Sequence, residues 1–118
     1  MNDLKSIIGK FRYAWNGFIH GLKYDRSIRV QCVLAAGAIA VSLLLHFSAE
    51  ELAIVMLFCA LIIGLEFVNS SIERIMNLEE PEISKSVKHI KDMAAAGVLT
   101  ASFFALIVGI MFVIRHLK

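Results

Sequence analysis

Three stretches of this chain are nearly free of charge, and their lengths restrict what it can fold into. Val30 to Phe47 is eighteen residues without Asp, Glu, Lys or Arg. Leu52 to Ile72 is twenty-one residues with one charge, Glu66, and Met93 to Ile114 is twenty-two with none. At about 1.5 Å per residue, each block as a helix spans roughly 27–33 Å, the thickness of a bilayer's hydrocarbon core. A spanning barrel would need at least about eight alternating segments of about 10 residues. Lipid offers the backbone no hydrogen-bond partner, so the blocks are expected as transmembrane helices. The chain has 118 residues, 58% hydrophobic and 19% charged, which predicts a single membrane domain over 1–118. So little charge excludes disorder. A net charge of +2 gives no reason to expect nucleic acid as a partner. Residues 1–29 are charged throughout and the first block is long enough to remain as an anchor, so no cleavable signal peptide is expected.

Lysine and arginine predict the orientation. The N-terminal region and the link between spans two and three carry ten basic residues between them; the first link and the tail carry two. The basic side is expected to be cytoplasmic, with the first link as a tight external hairpin and the C-terminus facing out. Leu4, Ile7, Ile8, Phe11, Trp15, Phe18, Ile19 and Leu22 repeat with helical spacing. Residues 4–22 are therefore expected to form an amphipathic helix lying on the membrane surface, with Tyr13, Trp15 and Tyr24 in the headgroup zone. Gly17 and Gly21 have the GxxxG spacing but lie outside a span, where it is a weak pointer to packing. Gly97, Ala101, Ala105 and Gly109 form a small-residue stripe on span three, and a bundle of only three spans favours self-association.

The polar residues of the apolar blocks gather on one face. Glu66, Asn69, Ser70 and Glu73 stand at offsets 0, 3, 4 and 7 on span two. A carboxylate within such a block is by default functional. Two acids and an amide there, with Asp25 and Asp92 at the same membrane level, suit Mg²⁺, which takes oxygen ligands from one or two carboxylates and substrate phosphates. Lys91 and its basic neighbours suit an anionic substrate. Phosphoryl transfer from ATP to a lipid headgroup needs this combination. No glycine-rich phosphate loop is present, and a small transporter or pore-forming subunit remains an alternative on spacing alone. Cys32 and Cys59 read as buried small hydrophobes, and His20, His46, His89 and His116 as boundary or surface residues. Glu79, Glu80, Pro81 and Glu82 read as a solvated turn, with Pro81 able to start the helix into span three.

Glu66-Phe-Val-Asn69-Ser-Ser-Ile-Glu73, followed by Lys91-Asp92-Met-Ala-Ala-Ala-Gly97, resembles the paired signature of the prokaryotic diacylglycerol kinase / undecaprenol kinase family. Its usual form is E-x-x-N-[ST]-[AS]-I-E, then K-D-x-[AG]-[AS]-[AG]. Tyr13-Ala-Trp15-Asn-Gly17 is similar to the family's surface-helix segment, and Asp25-Arg-Ser-Ile-Arg29 to the start of its first span. The resemblance covers nearly the whole chain. It implies an all-α membrane protein: a surface helix plus spans at about 30–47, 52–72 and 93–114, assembled as a homotrimer with active sites completed between subunits. It also implies MgATP and a lipid alcohol as substrates. By the same resemblance Glu66 is the general base and Asn69 positions the reacting groups. Asp25 and Glu73 hold the metal, Glu73 also lying at the nucleotide. Lys91, Asp92 and Tyr13 contact the nucleotide, and Arg12 and Trp15 lie near the lipid headgroup. The Ala94-to-Gly97 run looks more like the undecaprenol-type branch, though either lipid alcohol suits the pattern. Two positions depart from the usual form. Asp25 stands where many members have Glu, and Asn77 where Asp is common. The second removes a negative charge near the nucleotide, so weaker cation or nucleotide contact is expected there.

Overall fold

A computed structural model describes residues 2–79 and 85–118 in four helices: α1 (Asn2–Tyr24), α2 (Arg26–Leu44), α3 (Ala49–Glu79) and α4 (Lys85–Leu117). No strand occurs among the described residues. α2, α3 and α4 are each long and apolar enough to cross a membrane. α3 packs against α2 on one side and α4 on the other. Phe47 meets Phe112 edge-on at 5.7 Å, and Arg115 reaches Glu51, so the end of α4 lies beside the start of α3. At the opposite end Lys91 reaches Asn77. The three spans therefore run up, down and up. Aligned helices alone would be long in one dimension, about 46 Å for a helix of α3's length. The molecule measures 53 × 48 × 22 Å because α1 leaves the bundle sideways.

The corner between α1 and α2 is a single residue, Asp25. Its Oδ1 accepts from the backbone N–H of Ser27 (3.1 Å) and Ile28 (3.4 Å), capping the start of α2. Arg29 Nη1 donates to the carbonyls of Leu22 (3.0 Å) and Lys23 (2.9 Å), satisfying the open end of α1. Ile28, 1% exposed, fills the angle. The sequence Asp-Arg-Ser-Ile-Arg is thus a corner: the acid caps the helix it begins, and the arginine caps the helix left behind. Gly21 lets α1 close on α3. A Cβ there would lie 2.5 Å from Phe67 Cε1 and 2.9 Å from Ile28 Cδ1. Gly17 faces open space, so one glycine of the pair makes a packing contact.

The far end is closed by polar groups. α2 ends with Phe47 N–H donating to the Ser42 carbonyl and His46 N–H to that of Leu43, around His46 at φ 60°. Ser48 and Glu51 then form a reciprocal cap on α3: Ser48 N–H donates to Glu51 Oε1 (2.8 Å), and Glu51 N–H to Ser48 Oγ (3.1 Å). Glu51 is 5% exposed and fully engaged. Arg115 Nη1 donates to Oε2 (2.9 Å) and His116 Nε2 to Oε1 (2.7 Å). His116 also stacks on Phe47 at 4.8 Å. It is a structural clasp between the last turn of α4 and the hairpin, not the bystander expected from sequence. The Ser-x-x-Glu spacing signals the cap but not its partners from α4.

Helix ends differ from the apolar blocks. α1 runs 2–24 rather than 4–22, and α2 stops at Leu44 because the turn around His46 takes up the last apolar residues. α3 continues beyond Ile72 and α4 begins at Lys85, since Glu, Arg, Met, Leu and Lys sustain a helix after hydrophobicity ends. Glu79 closes α3; the expected turn at Glu80, Pro81 and Glu82 lies outside the described residues. Among the described residues, the buried apolar side chains are Ile28, Val87, Val98 and Ala101. Many large apolar side chains of all four helices are exposed, a surface which only lipid or neighbouring protein can cover.

Candidate active site

Among the described residues, three of the five buried polar side chains lie on one face of α3; the other two, Ser42 and Glu51, lie toward the opposite end of the bundle. Glu66 is 5% exposed and Asn69 and Ser70 are 7% exposed, although the helix around them is largely open. The Glu66 carboxylate lies beside the side-chain amides of Asn69 and Gln31 and in the field of Asp25 and Glu73. Gln31, on α2, was not singled out by sequence reasoning. Its signal was an amide near the start of an otherwise apolar span. Asn69 Oδ1 is buried without a hydrogen-bond partner. Leaving such an atom unsatisfied costs about 1–3 kcal/mol, which marks it as a place where a bound group adds a bond.

Asp25 reaches this face from the α1–α2 corner. Its Oδ1 serves the α2 cap, and its other oxygen is not used by that cap. Among the described residues no three His, Cys, Asp or Glu side chains enclose a metal. Two carboxylates and an open side nevertheless fit Mg²⁺, which keeps waters and takes phosphate oxygens as its remaining ligands. The donors are hard oxygens throughout, and the unpartnered Asn69 oxygen lies on the same face.

Further along, Asn77 continues this face, eleven residues or about 16 Å beyond Glu66. Lys91 Nζ donates to Asn77 Oδ1 at 2.5 Å, tying the start of α4 to the end of α3. Asp92 pairs with Lys88 at 2.7 Å on the surface, an exposed pair that contributes little stability. The structure thus gathers Glu66, Asn69, Glu73 and Asp25, with Lys91 and Asp92 at the far end of the same region. It does not bring Arg12, Tyr13 and Trp15 into that cluster; all three are exposed on α1. The connection is indirect. Trp15 stacks on Phe18 (5.9 Å), and Phe18 on Phe67 (5.4 Å), the residue after Glu66. A cleft of about 370 Å³ opens between α1 and α3, bordered by Phe18, His20, Asp25, Ser70 and Arg74. Arg74 Nη1 donates to His20 Nε2 at 2.9 Å across it. Sequence reading counted Arg74 only as one charge of the second link; no spacing pairs it with His20.

The sequence profile of the prokaryotic diacylglycerol kinases matches residues 12–113. The chain belongs to that family. It is 31% identical over 105 residues to a diacylglycerol kinase of Synechocystis, covering 88% of this chain and 60% of that protein. It is also 31% identical over 105 residues to a diacylglycerol kinase of Pseudomonas aeruginosa, covering 89% of this chain and 82% of the relative. The chain therefore spans only about 60% of the Synechocystis protein's length. The matched region contains the α1–α2 corner, the polar face of α3 and the start of α4. Neither relative's name supports the transporter or pore alternative.

Proposed function

We propose that this protein is an integral membrane lipid kinase that transfers the γ-phosphoryl group of ATP to the primary hydroxyl of a membrane lipid, diacylglycerol or undecaprenol. The observation that carries the reading is Glu66. A carboxylate is buried within an apolar helix, flanked by two amides and followed by a second acid on the same face. Family membership supplies the reaction class.

Glu66 Oε accepts the proton of the lipid hydroxyl as that oxygen attacks the γ-phosphorus. The new O–P bond forms as the bond from the γ-phosphorus to the β,γ-bridging oxygen breaks, ADP leaves, and Glu66 returns its proton to water. A positioned base of this kind contributes about 10²–10⁴-fold. Asn69 uses its unpartnered oxygen and its amide N–H to orient the reacting groups. Asp25 and Glu73 would hold Mg²⁺, which when bound would neutralise charge on the phosphate oxygens. Lys91 contacts the phosphates, and Asp92 and Tyr13 lie toward the nucleoside. Arg12 and Trp15 on the surface helix guide the lipid headgroup. The site faces the cytoplasm of a bacterial inner membrane, where ATP is available. Three copies associate through the exposed apolar faces of the spans, and a neighbouring chain closes the open side of the site.

The test offers diacylglycerol and undecaprenol together to the purified protein in mixed micelles with γ-labelled ATP and Mg²⁺. Label is expected on one or both lipids, and Glu66→Gln is expected to abolish the transfer. Absence of label on either lipid and on a total membrane lipid extract refutes the reading.

A further inference from the structure

We propose that Asn77 is a positioning residue that fixes Lys91 with its positive charge intact, so that nucleotide affinity in this chain depends on a neutral amide at that position. The inference rests on the reading of Lys91 as a phosphate contact.

The geometry has three parts. Asn77 lies on the same α3 face as Glu66, Asn69 and Glu73, one turn beyond Glu73, so whatever it holds stands in line with the reacting groups. Lys91 lies on α4, and its Nζ donates to Asn77 Oδ1. The neighbouring acid, Asp92, is engaged by Lys88. Among the described residues the acceptor on Lys91 is therefore an amide and not a carboxylate.

A lysine side chain has four rotatable bonds and loses considerable freedom when it is held in one place. The amide takes one of its three protons and fixes the ammonium group before the ligand arrives. Two protons and the whole charge remain for phosphate oxygens. A carboxylate at 77 would hold Lys91 equally well but would cancel much of its charge and repel the phosphates. The expectation from sequence alone, that losing an acid here weakens the nucleotide contact, is thus reversed for the phosphate end. The amide favours phosphate binding.

The experiment is a double-mutant cycle on the full chain in detergent micelles. It measures the equilibrium binding of a non-hydrolysable ATP analogue at fixed Mg²⁺, alongside KM and kcat. Asn77 is exposed, so truncation leaves no cavity and the variants fold. Asn77→Ala is expected to weaken binding about 3–10-fold, a loss in KM with kcat nearly unchanged, because fixing one charged contact is worth of order 1 kcal/mol. Asn77→Asp is expected to weaken it at least as much. In a Lys91→Met background, Asn77→Ala is expected to have no further effect. A purely structural role would shift the melting temperature without this dependence on Lys91. If Lys91→Met weakens binding but Asn77→Ala does not, or if the two losses simply add, the positioning role is overturned and the kinase reading stands. If Asn77→Asp tightens binding, the charge argument is overturned. If Lys91→Met leaves binding untouched, the assignment of Lys91 itself fails, and this inference with it.

Discussion

Replacing Gly21 with alanine should undock the surface helix, while the same change four residues earlier should not. At Gly21 the new methyl meets a ring carbon of Phe67 at 2.5 Å and the tip of Ile28 at 2.9 Å. Ile28 is 1% exposed and wedged into the corner, and Phe67 is held in the stack with Phe18. Neither can retreat without loosening the α1–α3 contact. Overpacking of this kind costs about 1–3 kcal/mol, and the crowding here places it near the upper end. Alanine recovers about 1 kcal/mol of helix propensity. The net loss of about 2 kcal/mol falls on α1 docking and multiplies the undocked population roughly 30-fold. Gly17→Ala has no clash, so it should gain the propensity term alone. Trp15 is the only tryptophan of the chain and stacks directly on Phe18, so its emission and acrylamide quenching report on the docked helix. Gly21→Ala should increase quenching and reduce phosphoryl transfer; Gly17→Ala should leave both unchanged. Equal behaviour of the two variants in quenching and in thermal stability would refute the close approach at Gly21.

Other perturbations separate roles that the structure superimposes. Glu66→Gln should lower kcat by about 10²–10⁴-fold with nucleotide affinity largely retained, as single-turnover assays and equilibrium binding can show; a wild-type rate would remove the base assignment. Asp25→Asn keeps the α2 cap, because Asn and Asp cap equally well, yet removes the charge proposed to hold the metal. Helix stability should therefore persist while the Mg²⁺ requirement rises, whereas Asp25→Ala should also cost about 1 kcal/mol in a melting curve. Glu73→Gln should weaken Mg²⁺-dependent nucleotide binding as well as turnover, and binding insensitive to that change would argue against its metal role. His46→Gly should stabilise the hairpin by about 1 kcal/mol in a thermal melt, because a left-handed backbone is costly for a residue with a Cβ; no gain would mean that the His46 Nδ1–H bond to the Leu44 carbonyl offsets the strain.

The spans were legible because lipid makes hydropathy and length nearly decisive, and the acidic face of α3 because a helix repeats every 3.6 residues. Asp25 was placed near that face by its level in the membrane, but its capping role depends on backbone geometry at a corner that no periodicity encodes. Gln31 was missed because one amide close to a helix start carries no pattern until Glu66 is packed beside it. Glu51, Arg115 and His116 meet across more than sixty residues of sequence. Charge counting could assign the first link and the tail to one side of the bilayer but could not bring them into contact. The helix ends were misjudged wherever charged residues continued an apolar helix, because hydrophobicity marks the lipid boundary and not the end of hydrogen bonding.

α3 exceeds a roughly 30 Å hydrocarbon slab by about 16 Å, and the face from Glu66 to Asn77 starts near the end of the apolar block Leu52–Ile72 and continues out along that excess. In the proposed reaction the two reactants therefore arrive by different kinds of diffusion. A nucleotide approaches through three-dimensional solution and never dips below the headgroups. The alcohol drifts sideways within a two-dimensional film and needs only to lift its polar tip. Saturation by the lipid should accordingly follow its mole fraction in the surface and ignore its bulk molarity, so diluting the film with inert amphiphile should slow turnover even when every test tube holds the same amount of substrate.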